Sequence, residues 1–143
     1  MHVSFALFAD AANLSQEGKL NILGVFDAVR VEQFPAVHPR GTLVVRIKAS
    51  PSDAGVHAVE LRWTNPRGQV LWESPAQLEI GPPPVGATDV DMPLIFQLDL
   101  PLDVGGSYRM EVGINGRTAA QTILHVQAGA PPVVPAPPGQ LVS

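Results

Sequence analysis

The chain has 143 residues, 45% of them hydrophobic and only 15% charged, the composition of one globular domain with a sparsely charged surface. It contains no cysteine, which excludes a disulfide framework, thiolate zinc sites and a cysteine nucleophile. A formal net charge of −4 argues against a polyanion binder, because neutralising phosphates requires clustered Lys and Arg, so nucleic acid is not an expected partner.

The opening run Met1–Ala9 alternates Val3, Phe5, Leu7 and Ala9 and has no Lys or Arg ahead of it. It reads as a strand in preference to a secretory signal. No apolar stretch approaches the ~20 residues that cross a bilayer, so no membrane span and a cytoplasmic location are expected. Asp10–Gly18 has room for one short helical turn. Leu20–Val31 is apolar on both parities, with Leu20, Ile22 and Phe26 on one and Leu23, Val25, Val29 and Val31 on the other. Such a segment is covered on both faces, passes between sheets, or meets a partner chain. Gly24 in its middle predicts a bulge or a close backbone approach.

From residue 42 onward period-two patterning dominates, the mark of a sheet with one dry face. Leu43, Val45, Ile47 and Ala49 oppose Arg46 and Lys48. Val59, Leu61 and Trp63 oppose Glu60, Arg62 and Thr64. Asn65-Pro66-Arg67-Gly68 is a tight turn, with proline pre-setting φ and glycine accepting positive φ. Val70 and Trp72 are expected to continue the inward face, and Gln77–Ile80 to form a further short edge strand. Gly81-Pro82-Pro83-Pro84 is a crossing loop, because proline has no amide donor for a sheet interior. Leu94, Phe96, Leu98 and Leu100 form the next inward row, and Pro101 is expected to stop that strand. After a corner at 102–106, Tyr108, Met110, Val112 and Ile114 alternate with Arg109 and Glu111. Asn115-Gly116 predicts a type I′ hairpin, with 117–126 as the return strand.

Seven to nine antiparallel strands without a helical stripe predict an all-β, two-layer antiparallel β-sandwich over residues 1–127. Residues 128–143 hold five prolines and no charged side chain, and are expected to be a flexible, proline-rich tail. Asp103-x-Gly105-x-x-Tyr108 ahead of an alternating strand resembles the tyrosine corner of immunoglobulin-like sandwiches, one residue longer than its commonest form. The runs Phe5–Asn13, Gly18–Asp27 and Phe34–Pro39 also read as a signature, "ADAAN…GKLNILGVFD…FPAVHP", followed by a closing "G-x-Y…NG" hairpin. On these residues the chain resembles a family of small, uncharacterised bacterial β-sandwich proteins. The resemblance covers most of 3–126, implies the fold and a bacterial origin, and brings no activity.

No serine lies in Gly-x-Ser-x-Gly or a comparable strained turn, and no Gly-x-Gly-x-x-Gly or P-loop is present. His2, His38, His57 and His125 lack metal-ligand spacing, and His38 between Val37 and Pro39 reads as part of a turn. Asp89 and Asp91 share a strand face that suits a hard cation, but such a pair more often marks the solvated start of a strand. No metal or other cofactor is therefore expected. Trp63 and Trp72 read as core instead of a base-stacking platform. The strongest candidate element is Asp10–Asp27, where Asp10, Asn13, Lys19, Asn21 and Asp27 cluster around a strand–loop–strand. These side chains either fix the turn through nearby backbone amides or grip a polar ligand or a partner's backbone.

A complete core pattern beside an absence of catalytic constellations points to a non-enzymatic β-sandwich that binds or assembles. The expected partner is a protein or a second copy of the chain. The alternative is an enzyme, or a small-ligand or metal binder, whose site forms only when distant strands meet.

Overall fold

The computed structural model describes residues 1–129; of the tail expected over 128–143, Ala128 instead ends a strand and residues 130–143 lie outside the described residues. Nine strands follow in order: β1 (His2–Leu14), β2 (Leu20–Phe26), β3 (Ala28–Val31), β4 (Ala36–Ala49), β5 (Gly55–Thr64), β6 (Val70–Ile80), β7 (Val90–Leu102), β8 (Gly106–Ile114) and β9 (Arg117–Ala128). Among the described residues the only helical element is a 3-10 turn at Pro51–Asp53. The helical turn expected within Asp10–Gly18 does not form. The apolar alternation of β1 carries on to Leu14, and Ser15–Lys19 closes as a turn in which Ser15 N–H donates to the Lys19 carbonyl at 2.8 Å.

The strands form a two-layer sandwich, one sheet in the order β2-β1-β4-β7 and the other β3-β9-β8-β5-β6. All pairs are antiparallel except β3–β9, which is parallel. The segment Leu20–Val31 passes between sheets: β2 ends at Phe26 beside β1, the chain crosses at Asp27, and β3 joins β9 in the other layer. The order β9-β8-β5-β6, with β4 beside β7 across the core, is that of immunoglobulin-like sandwiches.

Between the layers lie the residues that the alternation selects: Leu43, Val45 and Ile47 of β4, Val59, Leu61 and Trp63 of β5, and Tyr108, Met110 and Val112 of β8. The Trp63 ring stacks on Tyr108 with centroids 5.1 Å apart and meets Phe8 edge-on at 6.0 Å. Its Nε1–H donates to the Pro101 carbonyl at 2.9 Å, so a buried polar atom is satisfied across the two sheets. Trp72 is half-buried and packs on the same core. Val70 departs from expectation: it is 48% exposed, because the register slips between Trp63 and Thr64 and takes it off the inward face. Val70–Ile80 is one strand, not two, since β6 is an edge and Pro75 lacks only an amide that no neighbour needs. The same reasoning carries β7, also an edge, through Pro101 to Leu102.

Candidate functional site

The corner between β7 and β8 closes as its residues foretold. The buried Tyr108 hydroxyl lies 2.6 Å from the Val104 carbonyl and 2.8 Å from Asp103 Oδ1, and accepts from Val104 N–H at 3.0 Å. Asn65 Nδ2–H donates to Asp103 Oδ2 at 2.8 Å. Desolvation pushes the Asp103 carboxyl up, yet the donors from Asn65, Tyr108 and nearby backbone outweigh it and hold the group below its ordinary value. Desolvation, with the Asp103 charge beside it, raises the Tyr108 phenol. This corner is structural: it ties the start of β8 to the end of β7.

The element Asp10–Asp27 is a hairpin that leaves the sandwich. β1 pairs with β4 only as far as Ala9↔Thr42, and from there to Leu14 its only strand partner is β2. β4 turns away at an irregularity between His38 and Gly41, where Arg40 has φ 53° and its N–H donates to Asp99 Oδ1 at 3.0 Å. The result is a two-stranded ribbon of Ala11–Leu14 and Leu20–Leu23, whose apolar side chains lie outside the core cluster.

The expected site residues occupy separate places on this ribbon. Asn13 and Asn21 face each other, with Asn21 Nδ2–H donating to Asn13 Oδ1 at 3.0 Å. Strand alternation sets Asp10 on the opposite face, where its side chain fills the space a Cβ at Gly24 would need. Gly24 has φ +70°, so the predicted close approach is real. Lys19 stands at the tip, exposed and 3.1 Å from Glu17. Asp27 marks the crossing between sheets, its carbonyl accepting from His125 N–H at 2.8 Å. The structure thus brings Asn13 and Asn21 together and leaves Asp10, Lys19 and Asp27 apart.

Sequence reading missed the surface to which the ribbon belongs. The core takes Leu43 and Val45, so alternation turns Val44 outward; yet Val44 and Ala9 are 0% exposed. Val44 lies in a row with Leu7 of β1 and Ile95 of β7, and Ala9 lies between Thr42 and Val25 of β2. This outer apolar row runs onto the edge strand, where Leu23 is 68% and Val25 61% exposed. The signal was the second apolar parity of β1 and β2, which period-two reading alone cannot assign to either face.

Other candidates are occupied. Asp91 is gripped by Arg46 Nη2 at 2.7 Å and by Lys48 Nζ at 3.5 Å, and the Arg46 hydrogen bonds hold its carboxyl below the ordinary value despite partial desolvation. His57 Nε2 donates to the Asp53 carbonyl at 2.6 Å while its Nδ1 accepts from Asn115 Nδ2–H at 2.9 Å. His125 Nδ1 lies 2.9 Å from Ser107 Oγ on an exposed strand face, and His38 packs against Phe26. Among the described residues no three His, Asp or Glu side chains gather as a metal site.

On the outer side of the five-stranded sheet a concavity of about 570 Å³ spans β5, β6 and the β8–β9 hairpin. Its lining includes Ala58, Glu60, Arg62, Glu111, Gly113 and Arg117. Arg62 is shared among Glu73 at 2.9 Å, Glu60 at 3.3 Å and Glu111 at 3.5 Å, and its guanidinium is raised first by the Glu73 hydrogen bond. These charges compensate one another, and no histidine or serine lines the hollow.

No helix among the described residues is long and apolar enough to cross a membrane. No curated protein matches the chain. Among solved structures it is similar to an immunoglobulin-like protein from Pseudomonas aeruginosa, with 13% identity, 88% of this chain and 95% of that one covered, and a TM-score of 0.38. A family model matches residues 4–127, nearly the whole described chain, and the protein therefore belongs to that family of unknown function, DUF6941.

Proposed function

We infer that this protein is a non-enzymatic β-sandwich module that binds a protein partner through the four-stranded sheet and its projecting hairpin. The observation that carries this reading is the pair Leu23 and Val25, 68% and 61% exposed on one face of the edge strand β2, beside an outer row in which Leu7 and Ile95 are half-buried and Val44 is covered. Large apolar side chains grouped on one exposed surface mark interaction sites in soluble domains, whereas scattered ones do not. Asn13 and Asn21, on the same face as Leu23 and Val25, with Lys19 at the tip, supply a polar margin beside that surface, while Asp10 and Asp27 lie off it. In the hollow on the other sheet, Glu60 and Glu111 are held on the Arg62 guanidinium at 3.3 and 3.5 Å, so its charges are spent on one another.

The reading is tested with a photo-crosslinking residue at position 23 and, as control, at position 56, since Val56 is equally exposed on the other sheet. Protein adducts formed in cells at position 23 and not at position 56 support it. Equal adducts at both, or none at 23, overturn it.

A further inference from the structure

We propose that Asn115-Gly116 is a deamidation site guarded by the fold, and that His57 is the guard. The chemistry needs only water. The Gly116 amide nitrogen attacks Asn115 Cγ, a carbon–nitrogen bond forms, and ammonia leaves carrying the proton of the Gly116 N–H. The five-membered imide then takes up one water. Opening at Cγ leaves aspartate at position 115, and opening at the main-chain carbonyl leaves isoaspartate, with the main chain rerouted through Cγ. Glycine after asparagine makes this fast in a free chain, because no side chain shields the attacking nitrogen.

The turn cannot avoid the hazard by composition, since Asn-Gly is what a type I′ hairpin demands. Asn115 has φ 51° and Gly116 φ 82°, and both residues are exposed to water. What restrains the reaction is the way the carboxamide is held. Ala58 N–H donates to Asn115 Oδ1 at 3.0 Å. An N–H can only donate, so the carboxamide oxygen faces β5 and its nitrogen faces His57, where Nδ2–H donates to Nδ1 at 2.9 Å. An accepting Nδ1 leaves the ring proton on Nε2, which donates to the Asp53 carbonyl at 2.6 Å. A reversed carboxamide would set donor against donor at Ala58, so each atom in this relay has one assignment.

The half-buried His57 ring is thereby anchored to the 3-10 turn on one side and grips Asn115 with the other. The main chain adds a third tie, Asn115 N–H donating to the Ala58 carbonyl at 2.8 Å. Cyclisation requires Cγ to turn from β5 toward the Gly116 nitrogen, so both side-chain bonds must break first.

Once made, the change cannot be undone by refolding. Aspartate keeps an acceptor for Ala58 N–H but has no donor for His57 Nδ1. Isoaspartate adds a main-chain atom to a two-residue turn, and the pair Ile114↔Arg117 no longer closes in register. Gly116 and Arg117 line the hollow on the outer face of that sheet, so one of its walls is altered. A molecule whose hairpin has opened for long is marked in its covalent structure.

The test is peptide mass mapping of position 115 in the full chain after incubation at mildly alkaline pH. The folded protein should convert far more slowly than the same chain in urea. His57→Ala and His57→Phe both remove the acceptor, and the second keeps a ring in place. Either should convert roughly fivefold faster than the parent while folded, the factor that one net hydrogen bond makes in an equilibrium. His57→Asn, whose carboxamide oxygen takes the place of Nδ1, should stay close to the parent. Circular dichroism and urea midpoints establish that each variant is folded. A folded parent that converts as fast as the chain in urea overturns the proposal. So do folded His57→Ala or His57→Phe proteins that convert at the parent's rate, or His57→Asn converting as fast as they do.

Discussion

Tyr108 shows how much one hydroxyl can hold. It serves as acceptor for Val104 N–H and sits within hydrogen-bond distance of two acceptors, all inside a corner closed by Trp63 and Leu102. In Tyr108→Phe the ring still stacks on Trp63, but Val104 N–H loses its acceptor in a partly buried site. Such an unsatisfied group costs about 1–3 kcal/mol, so the unfolding free energy should fall by that amount, read as a lower urea midpoint with the slope unchanged. Trp63→Phe should also destabilise, because the Pro101 carbonyl then loses the indole donor that reaches it from the other sheet.

At the scale of one element, the ribbon depends on Gly24. A Cβ there meets the Asp10 side chain down to its own Cβ, and φ +70° is a conformation that costs L-residues roughly 1–2 kcal/mol. Gly24→Ala should therefore destabilise by at least about 1 kcal/mol. In an Asp10→Ala background the loss should be smaller, and the difference, read from a double-mutant cycle in urea, measures the steric part. Equal losses in both backgrounds would assign the whole effect to φ. The glycine was visible in the sequence as an oddity inside an apolar run, and so were the turns at Asn65–Gly68 and Asn115–Gly116, where Gly68 has φ 80° and both Asn115 and Gly116 have positive φ. Strands β5, β7, β8 and β9 were equally legible, since each has one dry face. β1 and β2 were not: Phe8 and Ala6 serve the core while Leu7 and Ala9 serve an outer row, and alternation cannot rank two apolar parities. Nor does local sequence show that β4 leaves β1 at Gly41, because that divergence is set by pairing with β7. The spacing of the candidate polar residues implied a strand–turn–strand, which β1 and β2 form, yet their separation onto two faces and a tip followed only from register.

For the whole molecule, the three carboxylates held low lie in different regions, and this spreads acid sensitivity over the fold. Asp53 accepts from Ser50 N–H at 2.9 Å and lies 3.3 Å from the amino terminus, and the Ser50 bond is the larger cause of its lowered value. Asp91 joins β7 to β4 through Arg46, and Asp103 closes the corner with Asn65 and Tyr108. Each has a folded pKa below its unfolded value of about 3.9, so each contributes stability that is fully present above that pH. The contribution is lost as pH falls through the folded values, when the folded state must take up protons it binds less well than the unfolded chain. Stability should accordingly be flat with respect to these groups above about pH 5 and decline below about pH 4. Asp103→Asn and Asp91→Asn should each lower stability at pH 7 and make the acid limb shallower, as measured by urea midpoints taken across the pH range. Asp103→Asn should act more strongly on the corner, because its amide turns a donor toward either Asn65 or Tyr108, where the carboxylate offered two acceptors. An acid limb as steep in both variants as in the parent would place the proton uptake on other groups.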